Sequence, residues 1–180
     1  MRVFIAIEFE DDIKNQISDL QNKVQSECKK GFMTDKENLN LTMRFLGDVN
    51  GDELEYVAEA MDESVRRMKT FKLDFDRLGY FDRVEECILW LGIKSNSELS
   101  RLYMSLSKAL EKQGFKRDRS KFSPHITLGR ELKFYTNKNA VISKSNCEIS
   151  SLIVKNISLM ESKRENGKLI YKRIYTSKLI

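Results

Sequence analysis

The sequence predicts an α+β fold with two lobes, in which two pseudo-symmetric, mostly antiparallel sheets line a central groove and helices cover the outside. Three observations predict it. Each half of the chain runs through a strand, a helix and a strand with a polar front; no Pro/Gly-rich linker separates the halves; and the last two strands are joined by a tight turn. We therefore expect one domain over residues 1–180, formed by an internal duplication of roughly residues 1–80 and 81–180.

The composition indicates a globular protein rather than a disordered chain. Of the 180 residues, 41% are hydrophobic and 33% are charged. The net charge of +5 is compatible with a phosphate-bearing partner, but a lysine-rich solvated surface produces the same balance. Charge alone therefore does not identify a nucleic-acid-binding protein.

The sequence also indicates where the protein works. No apolar run approaches the roughly 20 residues that span a bilayer, and the N-terminal stretch becomes acidic at Glu8, too early for a secretory signal. Cys28, Cys87 and Cys147 have no C-x-x-C spacing, which argues against a disulfide framework and a zinc site. We expect a cytoplasmic monomer with reduced cysteines and with no membrane partner, metal or cofactor.

The first half of the chain begins with a strand at residues 2–9, which is rich in Val, Ile and Phe. Asp11 and Asp12 can cap the helix that follows, which we predict to extend to about Lys30. Its apolar stripe consists of Ile13, Ile17, Leu20 and Val24.

A polar loop separates this helix from a second strand at about residues 39–46. Asn50 and Glu53 have the spacing of a capping box and open a second helix. The apolar stripe of this second helix consists of Leu54, Val57, Met61, Val65 and Met68. A strand with alternating apolar and polar residues follows at residues 71–76.

The second half opens with an interior strand at residues 87–93, which is apolar on both faces. Ser95 and Glu98 again have capping-box spacing, and Gly114 is placed to end the third helix. The stripe of that helix consists of Leu99, Leu102, Leu106 and Leu110.

The last part of the chain is predicted to be a hairpin. Residues 133–146 are polar and are interpreted as a loop with room for a short strand. Residues 151–161 and 168–179 are predicted strands, and the pair Asn166-Gly167 between them favours a tight turn.

Two strands carry matching polar fronts. The first presents Asn40, Thr42 and Arg44 on one face and Leu39, Leu41, Met43 and Phe45 on the other. The second presents His125 and Thr127 on one face and Pro124, Ile126 and Leu128 on the other. His125 is the only histidine of the chain. Two such fronts facing each other would make a site.

Four stretches of the chain together resemble one known family. They are the paired H-x-T-like motifs, the Phe-Leu-Gly-Asp that overlaps the first, the Ser-Pro before the second, and the N-terminal Val-Phe-Ile-Ala-Ile. They are similar to the 2H phosphoesterase superfamily, and within it to the bacterial RNA 2′,3′-cyclic phosphodiesterase branch, also called the 2′-5′ RNA ligase family. The likeness covers residues 1–180. It implies a bilobal fold, no metal, and hydrolysis of the 2′,3′-cyclic phosphate of RNA or a nucleoside to a 2′-phosphomonoester.

The chain departs from the family pattern at one position. The first motif, His-x-Thr in the family, reads Asn40-Leu41-Thr42 here. The resemblance implies that His125 is the proton acceptor and that Asn40 stands at the proton-donor position. Asparagine cannot release a proton at neutral pH, and general acid catalysis contributes about 10²–10⁴-fold, so we expect a strongly weakened enzyme. A deliberate substitution in an otherwise intact enzyme and a natural loss of the histidine are both open at the level of the sequence; because the rest of both motifs is retained, we favour the substitution.

The chemistry explains why these residue types are needed. Hydrolysis of a cyclic phosphodiester requires a base for the attacking water, a proton for the departing 3′ oxygen, and donors for the extra charge on the phosphoryl group. His125 can accept the proton of the water. Thr42 and Thr127 can direct their hydroxyls at the nonbridging oxygens.

Three further residues are predicted to bind the substrate. Arg44 continues the polar front of the first motif strand, and Ser123 lies just before the second motif. Arg130 lies at odd parity from Thr127, so it reaches the groove only if Gly129 permits a bulge or the strand ends there.

Two alternatives remain open at the level of the sequence. A non-catalytic module that binds nucleotides or RNA ends could use the same groove, and Asn40 favours that interpretation, whereas the retained His125 favours an enzyme. Ligation of RNA through a 2′-5′ bond is the reverse of the same chemistry.

Tyr80 and Phe81 are candidates for stacking on a base, and residues 116–121 are interpreted as a solvated basic loop.

Overall fold

The computed structural model describes residues 1–145 and 147–180, and that part of the chain contains ten strands and four helices. The strands are β1 (Arg2–Glu8), β2 (Cys28–Met33), β3 (Asn40–Asp48), β4 (Phe71–Leu73), β5 (Phe75–Arg83), β6 (Glu86–Ile93), β7 (His125–Phe134), β8 (Leu152–Val154), β9 (Asn156–Glu165) and β10 (Lys168–Lys178). The helices are α1 (Asp11–Gln25), α2 (Gly51–Val65), α3 (Ser97–Lys112) and α4 (Lys138–Lys144). None of these helices has both the length and the apolar character needed to span a bilayer.

Two four-stranded antiparallel sheets form the framework of the molecule. One has the strand order β10-β9-β1-β3 and the other β2-β7-β6-β5, while β4 and β8 form a separate two-stranded sheet. The predicted α+β fold with mostly antiparallel sheets is therefore confirmed.

The two sheets draw their strands from both halves of the sequence. β9 and β10, at the end of the chain, join the sheet of β1 and β3, whereas β2, near its start, joins the sheet of β6 and β7. The lobes are thus interleaved along the chain, and the expected boundary near residue 80, which falls inside β5, does not separate one sheet from the other.

The predicted helix stripes face the core. Every stripe residue of α1 and α3 is buried. In the stripe of α2, which continues to Met68 beyond the end of the helix, all residues are buried except Leu54, which is partly buried against the same core. Full burial of a Leu, Ile or Met side chain contributes about 1.5–3 kcal/mol, so these stripes hold the helices against the sheets.

The first helix is shorter than predicted. α1 ends at Gln25, and the residues around Lys30 belong to β2. β2 is an edge strand whose side chains are mostly exposed, so it lacks the apolar alternation by which a strand is recognised. Gly31 in β2 has φ +109°, and a Cβ there would lie 2.6 Å from the carbonyl oxygen of Glu131, so the close approach of β2 and β7 requires glycine.

The N-terminal cap of α2 is the predicted capping box. The Asn50 side chain accepts from the backbone N–H of Glu53 at 3.0 Å, and the Glu53 carboxylate accepts from the backbone N–H of Asn50 at 2.9 Å. At α1, by contrast, Glu10 is the N-cap residue and makes no side-chain cap bond. Asp11 and Asp12 lie in the first turn, where the helix dipole favours negative charge.

The predicted cap of α3 is wrong by one residue. Asn96, not Ser95, is the N-cap, and its side chain accepts from the backbone N–H of Leu99 at 2.9 Å. The Asn96 amide also donates to the carbonyl oxygen of Lys72 at 2.8 Å. The amide of Asn96 makes both contacts because it carries a donor and an acceptor on separate atoms. The capping-box spacing of Ser95 and Glu98 gives no sign of the contact with Lys72, which is distant in the sequence.

The strand predicted at residues 71–76 is two strands, β4 and β5, and the second continues to Arg83. The segment interpreted as a loop at residues 133–146 contains the end of β7 and the short helix α4, which is capped by Asn137; Asn146 lies outside the described residues. The turn between β9 and β10 is confirmed. Asn166 and Gly167 both have positive φ, 52° and 78°, as a type I′ turn requires.

Candidate active site

A cavity of about 870 Å³ lies where β3 of one sheet approaches β7 of the other. Side chains from both motif strands line it. They include all seven residues singled out in the sequence, namely Asn40, Thr42, Arg44, Ser123, His125, Thr127 and Arg130. The two polar fronts therefore meet, as expected from their matching patterns.

A backbone contact and two aromatic rings orient His125. Its Nδ1 lies 2.7 Å from the carbonyl oxygen of Ser123. Because a carbonyl oxygen can only accept, Nδ1 carries the proton and the Nε2 of the neutral ring keeps a lone pair. Phe81 meets the imidazole edge-on with centroids 5.4 Å apart, and Trp90 lies at 6.3 Å. His125 is thus held in the tautomer that can accept a proton at Nε2.

Asn40 makes the corresponding contact in the other motif strand. Its Nδ2 donates to the carbonyl oxygen of Asn38 at 3.0 Å, and its Oδ1 accepts from the Thr42 hydroxyl at 3.2 Å. Asn38 is itself buried and donates to the carbonyl oxygen of Leu169 in β10 at 3.0 Å. The amide of Asn40 is therefore fixed in orientation at the edge of the cavity.

The two threonines reach the cavity from opposite sheets. Thr42 is exposed and Thr127 is half-buried. Thr127 lies opposite Trp90 of β6, and its carbonyl oxygen accepts from the Thr34 hydroxyl at 3.0 Å. Both threonines thus line the cavity, one from each sheet.

The alternation predicted for the first motif strand fails beyond Met43. Thr42 pairs with Ala6 and Arg44 with Ile5, so Met43 is an extra residue, as in a β-bulge. The bulge shifts Arg44 and Phe45 to the opposite faces, and Leu46 is a second extra residue in the pairing with β1. Phe45, expected in the core, is 51% exposed, and Arg44, expected on the open polar front, is only 7% exposed.

Arg44 lines the cavity but is tied to the loop between α3 and β7. Its Nη2 donates to the carbonyl oxygen of Lys116, and its Nη1 is buried with no hydrogen-bond partner among the described residues. Hydrogen bonds from the side chain and backbone of Ser120 lower the pKa of Asp118, and the charge of Arg44 lowers it further. A buried cation therefore orders the loop that leads to Ser123 and His125.

Arg130 reaches the cavity through the bulge on which its prediction depended. In the pairing of β6 with β7, Trp90 lies opposite Thr127 and Leu89 opposite Gly129, so Leu128 is the extra residue. The shift returns Arg130 to the side of Thr127, where it is exposed and lines the cavity. A Cβ on Gly129 would lie 2.7 Å from the sulfur of Met33 and 3.2 Å from the carbonyl oxygen of Phe32, so the Met33 side chain would have to shift to admit one.

Comparison with known families and structures is consistent with this geometry. The family model described as the 2′-5′ RNA ligase superfamily matches residues 9–166. The chain belongs to this superfamily. The family predicted from the paired motifs is thereby confirmed.

Three similar proteins show how much of the chain is shared with known proteins. A protein of Thermotoga maritima named RNA 2′,3′-cyclic phosphodiesterase is 36% identical over 142 residues, covering 77% of this chain and 73% of that protein. One of Methanothermobacter thermautotrophicus with the same name is 26% identical over 176 residues, covering 95% of each. The crystal structure of E. coli LigT complexed with 3′-AMP superposes with a TM-score of 0.82 at 25% identity, covering 99% of this chain and 97% of that one.

Several residues that line the cavity were not predicted from the sequence. Lys168 and Tyr171 line it from β10, and Phe122 lines it from the loop before β7, stacked on Tyr103 with centroids 4.0 Å apart and ring planes at 2°. Burial raises the pKa of Tyr171, against the opposing charge of Arg130, so this phenol stays protonated at neutral pH. No local motif marks Lys168 and Tyr171, because the β9–β10 hairpin reaches the site only by pairing with β1.

Tyr80 and Phe81, the candidates for stacking on a base, serve other contacts. The Tyr80 hydroxyl donates to the Asn139 side chain at 2.7 Å, and Phe81 packs against His125. Within the basic stretch at residues 116–121, Asp118, Ser120 and Lys121 line the cavity, so this loop forms part of its wall rather than only a solvated surface.

The three cysteines are free thiols with packing environments. Burial raises the pKa of all three, that of Cys28 to about 11. In residues 1–145 and 147–180, no group of three or more His, Cys, Asp or Glu side chains is arranged to hold a metal ion.

Proposed function

We propose that the protein hydrolyses the 2′,3′-cyclic phosphate of RNA ends or nucleosides to a 2′-phosphomonoester, with His125 as the proton acceptor. The observation that carries this proposal is the tautomer of His125. Its Nδ1–H is occupied by Ser123, so the basic Nε2 is available in a cavity that also holds two threonine hydroxyls and Arg130. The names of the relatives, RNA 2′,3′-cyclic phosphodiesterase, support the same reaction.

The reaction follows from the placement of these groups. A water oxygen attacks phosphorus while its proton passes to Nε2 of His125. The bond between phosphorus and the 3′ oxygen breaks, and the nonbridging oxygens carry additional charge. The hydroxyl of Thr127 and the guanidinium of Arg130 stabilise that charge, and the Thr42 hydroxyl does so when it turns from Asn40 Oδ1 to a phosphoryl oxygen. The product has a phosphate on the 2′ oxygen and a free 3′ hydroxyl.

Asn40 limits the reaction at the last proton transfer. One N–H of its amide is used on the carbonyl oxygen of Asn38, and the second can donate a hydrogen bond to the departing oxygen without releasing the proton. The 3′ oxygen must then be protonated by water. The absent acid corresponds to a loss of about 10²–10⁴-fold in turnover.

A non-catalytic module for nucleotides or RNA ends is the second candidate, favoured by Asn40. The orientation of the His125 ring favours the enzyme over the binding module, because binding a phosphate through threonines and Arg130 does not require a free Nε2. Ligation through a 2′-5′ bond uses the same groups with a 5′ hydroxyl in place of water as the nucleophile, and the family description names that activity. We further propose a monomer in the cytoplasm, where the three free thiols would remain reduced.

The decisive experiment is an assay with a nucleoside 2′,3′-cyclic phosphate, using the present chain, Asn40→His and His125→Ala. We expect slow hydrolysis by the present chain, an increase of about 10²–10⁴-fold for Asn40→His, and loss of turnover for His125→Ala. Asn15→His, an exposed change on α1, is the matched control and should have no effect. If Asn40→His leaves turnover unchanged while His125→Ala abolishes ligand binding, the cavity is a recognition site.

A further inference from the structure

A second cavity of about 580 Å³ opens beside the first, along the edge formed by β1, β3 and the β9–β10 hairpin. The two cavities share Thr42, Phe45 and Arg130 among their walls, so they adjoin each other. Arg2 and Lys163 line the second cavity but not the first. We call this second cavity the side groove.

The side groove is strongly cationic. Arg2, Arg130, Lys163 and Arg164 line it, and no Asp or Glu does so among the residues that the structure describes. Lys163 is partly neutralised by Glu165, at 3.0 Å, outside the groove lining. Arg164 donates only to the carbonyl oxygen of Gly167, at 3.2 Å, among its described hydrogen bonds, so its charge is available for an anion.

Phe45 stands at the junction of the two cavities. The bulge at Met43 turns its ring out of the core, leaving it 51% exposed. The guanidinium carbon of Arg2 lies 4.8 Å from the ring centroid. An exposed aromatic ring supported by a cation, inside a cationic groove, is the combination by which proteins hold single-stranded nucleic acid without reading its sequence.

We propose that the side groove binds the nucleotide that precedes the cyclic phosphate in an RNA chain, with its phosphodiester among Arg2, Lys163 and Arg164 and its base on Phe45. This inference rests on the proposed function. A 2′,3′-cyclic phosphate ends an RNA chain, so the chain must leave the catalytic cavity through the 5′ oxygen of the terminal nucleoside. The side groove is a cationic exit that adjoins Thr42 and Arg130. The side groove would therefore favour an oligoribonucleotide end over a free nucleoside 2′,3′-cyclic phosphate.

The test compares two substrates and two charge-matched double variants, all in the Asn40→His background to raise turnover. The substrates are a nucleoside 2′,3′-cyclic phosphate and an oligoribonucleotide that ends in the same group. The variants are Arg2→Gln/Lys163→Gln in the side groove and Arg101→Gln/Lys108→Gln on the exposed face of α3.

We expect the side-groove variant to lower kcat/KM for the oligonucleotide by about tenfold and to leave that for the nucleoside unchanged. The slope of log kcat/KM against log salt for the oligonucleotide should become shallower by about 1. The α3 variant should change neither substrate. Equal losses on both substrates, or no loss on the oligonucleotide, would overturn the inference.

A binding measurement separates this inference from the proposed function. Fluorescence anisotropy with a labelled oligoribonucleotide ending in a 2′-phosphate requires no turnover. If no variant hydrolyses either substrate but Arg2→Gln/Lys163→Gln still weakens RNA binding relative to the α3 variant, the side groove is supported and the hydrolase proposal is not. Phe45→Leu should weaken binding and Phe45→Trp should retain it, because only an aromatic ring stacks on a base. RNA affinity equal in all these variants would contradict the side groove itself.

Discussion

Asn40 and His125 are tied to the backbone in the same way. The Nδ2 of Asn40 donates to the carbonyl oxygen of Asn38 at 3.0 Å, and the Nδ1 of His125 donates to that of Ser123 at 2.7 Å, in each case two residues earlier in the chain. Both nitrogens are bonded to Cγ, so a histidine at position 40 can make the Asn38 contact without moving β3. Its Nε2 would extend beyond the position where the side chain of asparagine ends.

The first prediction concerns the pH dependence of turnover. Because the proposed reaction needs a free Nε2 on His125 and has no proton donor at position 40, kcat/KM of the present chain should rise with pH and then level off. Asn40→His should add a falling alkaline limb, because the new imidazole must stay protonated. Profiles from pH 5 to 10 with a nucleoside 2′,3′-cyclic phosphate measure this. A bell-shaped profile in the present chain would mean that another group supplies the proton.

The second prediction is regiochemical. If position 40 faces the departing 3′ oxygen, every product molecule should carry its phosphate on the 2′ oxygen. Phosphorus NMR of the product, compared with authentic 2′- and 3′-nucleotides, decides between them. A 3′-phosphate would exchange the roles assigned to Asn40 and His125.

The third prediction concerns chelators. The cavity offers one imidazole and no group of three metal-binding side chains among the described residues, so EDTA should leave turnover unchanged. The assay is hydrolysis before and after dialysis against EDTA, with zinc or manganese added back. Activity that is lost in EDTA and restored by either ion would contradict the proposed mechanism.

The fourth prediction concerns the contact between Arg44 and Lys116. Arg44→Met removes a charge-assisted hydrogen bond, so the free energy of unfolding should fall by about 1–3 kcal/mol. The loop should also become more accessible, because the bond joins it to β3. Trypsin cleavage at Lys116, Arg117 or Arg119 should accelerate, and kcat should fall. Arg101→Met on α3 is the control. Reduced turnover with an unchanged cleavage rate would instead indicate that Arg44 binds the phosphate directly.

The fifth prediction concerns Glu8, which lies opposite Asn40 in the pairing of β1 with β3. Burial would raise the pKa of Glu8, but hydrogen bonds from Arg173 at 2.6 Å and Ser158 at 2.7 Å, with the charge of Arg173, outweigh burial and lower it. A lowered carboxyl pKa contributes stability above the unfolded value of 4.5, and that stability is lost as the pH falls through the folded value.

Glu8→Gln should therefore lower the free energy of unfolding by about 1–2 kcal/mol at pH 7, or roughly 2–8 °C in Tm, and by much less near pH 3. Thermal unfolding at both pH values measures the difference. Glu10→Gln, an exposed change of the same charge, should have little effect at either pH. An equal loss for Glu8→Gln at pH 3 and pH 7 would contradict the role of the carboxylate charge.

Local patterns were sufficient to predict α2, α3, most of α1 and the pairing of the motifs, but not the short helix α4. The stripe of α3 and the capping box at Asn50 depend on residues three or four apart, which contact one another within one turn of helix. His125 and Thr127 lie two residues apart on one strand, so their shared face follows from the pleat alone. Their meeting with Asn40 and Thr42 was also predictable, because both strands repeat one arrangement.

Only the tertiary structure determined which way Arg44, Phe45 and Arg130 point. Each lies just beyond a bulge, and a bulge is defined by the register with a neighbouring strand, β1 for Arg44 and Phe45 and β6 for Arg130. The contributions of Lys168 and Tyr171 likewise depend on the pairing of β9 with β1. The sequence by itself therefore determined which residues could carry the chemistry and the helices that support them. The register between strands distant in the chain decided the walls of the cavity, because one extra residue in a strand reverses the face of every side chain after it.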